Sequence, residues 1–294
     1  MFDFRYHALS LVAVLVALGI GLLLGVAVGD KELVSSAQTD LAKGLRHDLD
    51  NARTEADDLR KELGRRRDFE QQAFAPLVDG QLAGQRVGLI FLGGSSRDLY
   101  DAVRDAVVSA GGELRFTAGV REPPDLGGLA ARASGTRYGA LADDGTLLRP
   151  FAERAGRSIA LGGDLAGKVR SRFFDSFSGE LDGVNAVVIA RAADRTTDDA
   201  HAGEIRDVEE GLVAGLVATN IPVVGAEQIE TTPSQVPWYH DRGIASVDDV
   251  DDIAGRVALV YALAGRAEGA YGVKSSAEGI LPRVVEGQTT TTPG

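Results

Sequence analysis

One stretch of the sequence, HALSLVAVLVALGIGLLLGVAVGD at residues 7–30, constrains the fold of this chain more than any other. Residues 8–28 are almost purely apolar, and a helix of that length spans the ~30 Å hydrocarbon layer of a bilayer. The alternatives are a soluble core helix and a secretory signal cleaved at the small-x-small tripeptide 27–29. We favour a retained membrane anchor because the apolar region of a signal peptide is shorter, at roughly 7–15 residues.

The charges that flank this stretch leave its orientation in a membrane open. Arg5 precedes the apolar residues and Lys31 follows them. Counting lysine and arginine within about 20 residues of the span favours neither side.

Small residues recur every four positions along the same stretch and would form one stripe on a helix. This small-residue stripe consists of Ala13, Ala17, Gly21, Gly25 and Gly29. Glycine is common in membrane helices in general. However, small residues in register let two helices approach closely in lipid. The stripe therefore predicts a helix–helix contact, and the simplest partner is a second copy of the chain.

Residues 31–76 read as a charged helical stalk that Pro76 is expected to end. Apolar residues spaced alternately by four and three form the seam of a left-handed coiled coil. The seam consists of Leu45, Leu49, Ala52, Ala56, Leu59 and Leu63. Because two of its members are alanines the seam is thin, and a single helix packed on a domain is the alternative. We expect a homodimer, since a shared membrane anchor raises the effective concentration of two copies.

From residue 77 the pattern becomes that of an α/β domain, predicted to extend to residue 285. RVGLIFLGG, SSRDLYDAVRDAVVSAGG and ELRFTAGV read as a strand, a helix and a second strand, which implies a parallel pair. SIALGG, NAVVIARAAD and IPVVGAE look like further buried strands, and helices are expected over 201–219 and 247–265. Residues 121–157 read as an insertion or irregular helical stretch. We expect a three-layer, mostly parallel sheet of Rossmann or flavodoxin type, preceded by the transmembrane helix (within residues 1–30) and the stalk.

The composition excludes several functions. The formal net charge of −12 repels phosphate backbones, so no nucleic-acid partner is expected. The chain has no cysteine and a single methionine, Met1, which removes the thiolate and thioether ligands that soft copper prefers. Its four histidines lie at no metal-ligand spacing. We expect neither a metal site nor a cofactor. The low-complexity tail, residues 286–294, is expected to be disordered.

The one binding site that the strand pattern suggests is the loop between the first strand and its helix. Gly93, Gly94, Ser95 and Ser96 lie where doubly wound sheets bind ligands, and backbone amides at a helix start can hold an anion. The glycines of a tight turn explain the same residues without a ligand. The loop is a weak anion-site candidate.

Other motifs carry less weight. GGDLAGK, residues 162–168, resembles a phosphate-binding loop, but Val169 stands where the magnesium-binding hydroxyl belongs. His240 and Asp241 are neighbours in sequence, which does not orient a triad; the nearby Trp238 suits a partner contact or ordinary packing. Lys274 beside two serines suggests a Ser–Lys nucleophile. Four further acids suit a hard cation or a helix start. They are Asp248, Asp249, Asp251 and Asp252. We expect no catalytic residue.

The N-terminal block MFDFRYHALSLVAVLVALGIGLLLGVAVGD resembles the actinobacterial MctB-like copper transport family. The resemblance extends to LVSSAQTDLAKGLRHDLDNARTEADDLRKEL, RVGLIFLGG and AYGVKSSAEGILPR. It implies a single-pass envelope protein with its soluble part outside the cytoplasm, and a role in copper efflux or homeostasis. An outer-membrane channel is also implied, but short buried strands alternating with helices do not suit a β-barrel. Copper enters only through this resemblance.

Three functions follow as hypotheses. The first is a non-enzymatic envelope protein linked to copper homeostasis or transport, in contact with membrane lipid and with a second copy of itself. The second, which the resemblance implies through related members, is a scaffold for cell division or cell-wall assembly that binds an envelope protein through the coiled coil. The third is an α/β enzyme or anion-binding domain that uses residues 93–96.

Overall fold

The computed structural model describes residues 4–193 and 200–282, with side chains described for 6–27 and from 39 onward. The predicted tail at 286–294 and the surroundings of Gly29 lie outside these. The chain divides into two units, Met1–Asp68 and Phe69–Gly294, and each is described by itself.

The first unit is helical throughout its described residues and belongs to α1 (Phe4–Val78). One segment of this helix, Tyr6–Ala27, is the part of the described chain that is long and apolar enough to cross a membrane. The expectation that Pro76 ends the helix is wrong by two residues. Proline lacks one backbone N–H, but in the last turn this costs a single hydrogen bond. The helical pattern resumes at once, since the N–H of Asp79 donates to the carbonyl of Ala75 at 2.9 Å.

The second unit alternates strands with helices. After the last residues of α1 its helices are α2 (Arg97–Ser109), α3 (Leu126–Arg132), α4 (Leu148–Leu161), α5 (Asp164–Phe173), α6 (Ala202–Val217), α7 (Val236–His240) and α8 (Ile253–Leu263). Its strands are β1 (Arg86–Leu92), β2 (Glu113–Val120), β3 (Phe174–Gly179), β4 (Ala186–Arg191), β5 (Val223–Ala226), β6 (Ala245–Val247) and β7 (Ala270–Tyr271). Two short 3₁₀ turns, Arg137–Ala140 and Gly145–Leu147, lie between α3 and α4.

The strands form one sheet in the order β3-β2-β1-β4-β5-β6-β7. Every neighbouring pair is parallel except β2 and β3. The mostly parallel α/β architecture is therefore confirmed. The chain leaves β1 toward β2 on one side and later returns to β4 on the other. Sheets with such a reversal open a crevice at the carboxyl ends of the two central strands.

Helices cover both faces of the sheet, and alternate residues of β1 serve two cores. Ile90 and Leu92 pack with α3, α4, α5 and α6, whereas Leu89 and Phe91 pack with α2, α8 and the end of α1. The side-chain period of two in a strand explains this division. All four residues are at most 3% exposed, as expected for a strand covered on both faces.

Glycines allow α4 and α6 to touch backbone to backbone. A Cβ placed on Gly215 would lie 2.0 Å from the carbonyl oxygen of Glu153, and one on Gly211 would lie 2.4 Å from that of Arg149. In the other direction, a Cβ on Gly156 would lie 2.4 Å from the carbonyl oxygen of Leu212. No side chain fits at any of these positions.

The predicted elements are confirmed for β1, α2, β2, β4, α6 and β5, and wrong in two places. SIALGG is not a strand: its apolar residues continue α4, where Phe151, Ala155 and Ile159 are buried at helical spacing. The last long helix begins at Ile253 rather than near 247, because Val247 belongs to β6. The stretch 121–157 contains α3, the 3₁₀ turns and the start of α4.

Candidate functional site

A cleft of about 280 Å³ opens at the carboxyl ends of β1, β4 and β5, on the line where the sheet reverses. We call it the switch-point cleft. All four residues of the sequence-predicted anion loop line it, opposite polar groups that follow β4 and β5. The residues of interest are Gly93, Gly94, Ser95, Ser96, Arg191, Glu227, Gln228 and Thr231. The structure therefore brings the predicted loop to a real concave surface.

The loop is held in place from both sides. Gly93 and Gly94 have φ angles of 83° and 141°, which side chains rarely adopt, so these positions favour glycine. Ser96 caps α2 by accepting a hydrogen bond from the N–H of Leu99 at 3.3 Å, and its hydroxyl donates to Oε1 of Gln228 at 3.1 Å. A Cβ on Gly94 would meet nothing within 4 Å, so the loop faces open space at this residue.

Arg191, the last residue of β4, forms the cationic wall of the cleft, but its charge is already matched. Its Nε lies 3.3 Å from Oε1 of the buried Glu209, and its guanidinium also donates to Gln235. The same group lies 5.0 Å from the ring centroid of Trp238. A ligand anion would therefore compete with Glu209 for this arginine.

The acidic wall of the cleft is a buried ion pair. Glu227 is 1% exposed and accepts from the Lys274 ammonium at 2.7 Å and from the Ser234 hydroxyl at 2.7 Å. The ammonium also donates to the carbonyls of Gln228 and Thr231, at 3.0 and 2.9 Å. All three protons of the ammonium are used in these contacts, and none of the described hydrogen bonds joins Lys274 to the neighbouring serines, so its contacts give the Ser–Lys interpretation no support.

The four acids before α8 are not gathered into one site: three of them make separate hydrogen bonds, and the fourth makes none with its carboxyl oxygens. Asp248 accepts from the backbone N–H groups of Val273 and Lys274, Asp251 accepts from that of Ile229, and Asp252 caps α8. Asp249 is fully buried, and neither of its carboxyl oxygens has a hydrogen-bond partner. Burial, followed by the charges of the neighbouring Asp248, Asp252 and Asp251, raises the pKa of Asp249 to about 7.

Replacing Asp249 with asparagine should stabilise the protein, and more so at higher pH. The pKa of this carboxyl is raised from 3.8, so the folded state loses stability as pH climbs from about 4 through 7 and the group ionises. Asp249→Asn removes that penalty. We expect no gain at pH 4 and a gain of about 2–4 kcal/mol at pH 8, from denaturant unfolding at both pH values.

The exposed Asp241, substituted by asparagine, is the matched control and should leave the pH profile unchanged. A pH-independent effect of Asp249→Asn would show that the buried carboxyl does not titrate in this range.

The remaining sequence candidates are not brought together. GGDLAGK joins α4 to α5 instead of following a strand, so its resemblance to a phosphate-binding loop does not hold. The His240 side chain is 78% exposed. Trp238 packs against its own domain instead of extending into solvent for a partner: the Arg242 guanidinium lies 3.9 Å from its ring centroid. Among the described residues no group of three or more His, Cys, Asp or Glu side chains could hold a metal ion.

Sequence reasoning missed most of the polar wall of the cleft. Arg191 ends β4 and Glu227 directly follows β5. Both strands were predicted, so the rule that parallel strands gather functional groups at their carboxyl ends could have singled out these two residues. Nothing in the sequence indicated that Lys274, far along the chain, would neutralise Glu227.

In the first unit, both predicted contact faces are exposed on α1. Four leucines of the seam, Leu45, Leu49, Leu59 and Leu63, are each at least 50% exposed. In the small-residue stripe, a Cβ on Gly21 or Gly25 would meet nothing within 4 Å. These faces have no partner within the described part of the unit.

The described chain thus combines an apolar helix long enough to cross a bilayer, a charged helical segment and a mostly parallel α/β domain, which is the class of protein its fold defines. The family model described as "Copper transport outer membrane protein, MctB" matches residues 1–123 and 165–282. The chain therefore belongs to this MctB family, as the resemblance implied. The internal residues that the family model does not match, 124–164, include α3 and α4.

Curated relatives carry the same name. Copper transporter MctB of Mycobacterium bovis and that of Mycobacterium tuberculosis are each 30% identical to this chain over 122 residues. The aligned part covers 42% of this chain and 38% of each relative. The chain thus matches well under half the length of these curated proteins.

Proposed function

We propose that this chain is a single-pass, homodimeric envelope protein that serves copper homeostasis without catalysing a reaction, with its α/β domain outside the cytoplasm. The observation that carries the proposal is the family match, which includes both the apolar helix and most of the α/β domain. Copper enters through the name of the family and of its curated relatives.

The chemistry of the chain favours an indirect role in copper handling. Copper(I) prefers thiolate and thioether ligands, and the sequence offers only the thioether of Met1. The proposal therefore places the copper-binding groups on an envelope partner or a separate carrier. In this view the chain organises the envelope through its two helical contact faces.

The test is a strain that lacks the gene, grown in rising copper and assayed for cell-associated copper. The proposal expects lower copper tolerance, restored by the wild-type chain. Removing residues 31–68 should abolish rescue, whereas Ser96→Ala, which alters the cleft, should not. Unchanged tolerance together with defective division or wall assembly would replace this function with the scaffold hypothesis. Copper(I) bound tightly by the purified full-length chain would overturn the indirect role.

Leucine at Gly21 and Gly25 should weaken dimerisation of the full-length chain in detergent. Both positions face open space on the isolated helix, so leucine causes no clash within one copy. In a dimer held by the small-residue stripe, leucine would separate the two backbones. We expect about a tenfold or greater rise in the dissociation constant, measured by analytical ultracentrifugation.

Gly19 provides the control for this experiment. It lies off the stripe on the same helix, and its Cβ would also meet nothing within 4 Å. Gly19→Leu should dimerise like the wild type. Equal effects at all three glycines would exclude the stripe as the contact.

The switch-point cleft supports a second candidate function, the binding of a small anion. The favouring observation is that residues 93–96 line an open concavity at the start of α2. The existing pairing of Arg191 and Glu227 weighs against strong binding. Titration of the purified chain with inorganic phosphate, followed by the chemical shifts of Ser95 and Ser96, decides whether the loop holds an anion.

A further inference from the structure

The charges beside the seam determine which way a second helix can lie against it. The seam residues fall into the a and d positions of a heptad, with Leu49, Ala56 and Leu63 at a, and the others at d. The four leucines are at least half exposed, so the face is open to a partner. Residues at e and g flank such a seam and set the orientation of the partner.

The flanking positions are occupied by opposite charges without exception over three heptads. Every e position is an arginine and every g position is an acid. The e residues are Arg46, Arg53, Arg60 and Arg67, and the g residues are Asp48, Glu55 and Glu62. One edge of the seam is therefore wholly basic and the other wholly acidic.

A parallel, in-register partner places each g residue beside the e residue five positions later on the other helix. Each such contact here joins an acid to an arginine, and two-fold symmetry doubles the number. The pairs are Asp48 with Arg53, Glu55 with Arg60, and Glu62 with Arg67. In an antiparallel pair g meets g and e meets e, so acids would face acids and arginines would face arginines.

The contacts that these charges make within one copy are weak enough to be exchanged. Arg53 lies 3.7 Å from Asp50 and Arg60 lies 2.8 Å from Asp57, with all four side chains more than 60% exposed. Exposed pairs of this kind contribute little to stability. Asp48 and Glu55 make no ion pair with any described residue of the chain.

We propose that the stalk is a parallel, in-register homodimer whose orientation is fixed by these ion pairs. The inference rests on the proposed function for the existence of the dimer and adds its geometry. The partner is a second copy of this chain, because the acidic edge of one copy is complementary in charge to the basic edge of another. Because Ala52 and Ala56 bury little apolar area, the seam alone stabilises the dimer weakly and the flanking ion pairs contribute a larger share.

Engineered cysteines test the orientation in the full-length chain, which has none of its own. Leu45→Cys and Leu63→Cys place single thiols near opposite ends of the seam. In a parallel dimer each variant forms a disulfide with itself. In an antiparallel dimer only a mixture of the two variants is cross-linked. Thr54→Cys, at an outward f position, is the control and should remain monomeric under denaturing electrophoresis.

Charge reversal tests whether the ion pairs between e and g residues cause the parallel pairing. Glu55→Arg with Glu62→Arg makes both edges basic, and Arg60→Glu with Arg67→Glu makes them largely acidic. Each double variant should self-associate about tenfold or more weakly than wild type, because four attractive contacts become repulsive. The quadruple variant, with the charges exchanged, should recover wild-type dimerisation. Reversal of Asp50 and Asp57, outside the seam, is the matched control.

The outcomes separate the two proposals. A monomer by sedimentation of the wild-type chain overturns the dimer of the proposed function itself. A dimer whose cysteines cross-link only in the mixture, or whose quadruple variant fails to recover, overturns the parallel register alone. Self cross-linking at both ends together with recovery of the quadruple variant supports both.

Discussion

Replacing Lys274 with methionine should lower the free energy of unfolding of the α/β domain by about 3–5 kcal/mol. The substitution keeps an apolar stem of similar length but removes the cation that pairs with Glu227 among the described residues, and the Glu227 side chain is 1% exposed. The substitution also leaves the carbonyl of Thr231 without the donor that Lys274 supplied and removes one of the two donors to the carbonyl of Gln228. A buried charge that loses its partner keeps its desolvation cost, which explains the size of the effect.

The measurement is denaturant unfolding followed by the fluorescence of Trp238, the single tryptophan, which lies in this domain. Lys168→Met, at an exposed lysine on α5, is the control and should change stability by less than about 0.5 kcal/mol. Adding Glu227→Gln to Lys274→Met should recover part of the loss by removing the unpaired charge. No recovery in the double variant would show that the loss arises from packing and not from charge.

A single methyl group at Gly215 should destabilise the domain by about 3 kcal/mol or more, although alanine is the better helix former. The added Cβ would lie 2.0 Å from the carbonyl oxygen of Glu153, and 2.8 Å from its carbonyl carbon. These are backbone atoms of α4, which cannot turn aside as a side chain would. The helices must separate, which opens the core that Leu212 and Leu216 fill.

Gly203, in the same helix, provides the control. Its Cβ would meet nothing within 4 Å, so Gly203→Ala should be neutral or slightly stabilising in the same unfolding experiment. A loss for Gly215→Ala no greater than the change at Gly203 would mean that α4 and α6 adjust freely to each other.

The parts of the fold that local physics determines could be predicted from the sequence. β1 is a continuous apolar run, and Ser96 begins α2 with the side-chain cap that serines favour. Where one short pattern suits two structures, the prediction failed. SIALGG has the apolar content of a strand, but its residues bury at helical spacing once α6 lies beside them.

The residues of the candidate site were harder to predict than the fold, because tertiary structure brings them together. The anion loop was found because it lies directly after a predicted strand. The pairing of Glu227 with Lys274 joins segments 47 residues apart, and no local pattern signals it. Similarly, the acids near α8 looked equivalent in sequence. Only the fold gives Asp248 two backbone donors and leaves Asp249 with none.

The two edge strands of the sheet determine whether neighbouring copies of the domain can associate edge to edge. Exposed edge strands present unpaired backbone groups that can template growth into fibres. Here one edge strand, β7, is only two residues long. The other, β3, is antiparallel to β2 and carries the charged Asp175 among mostly exposed residues. Such blunt edges offer a neighbouring sheet little to join. Many copies held side by side on a surface would therefore resist edge-to-edge polymerisation.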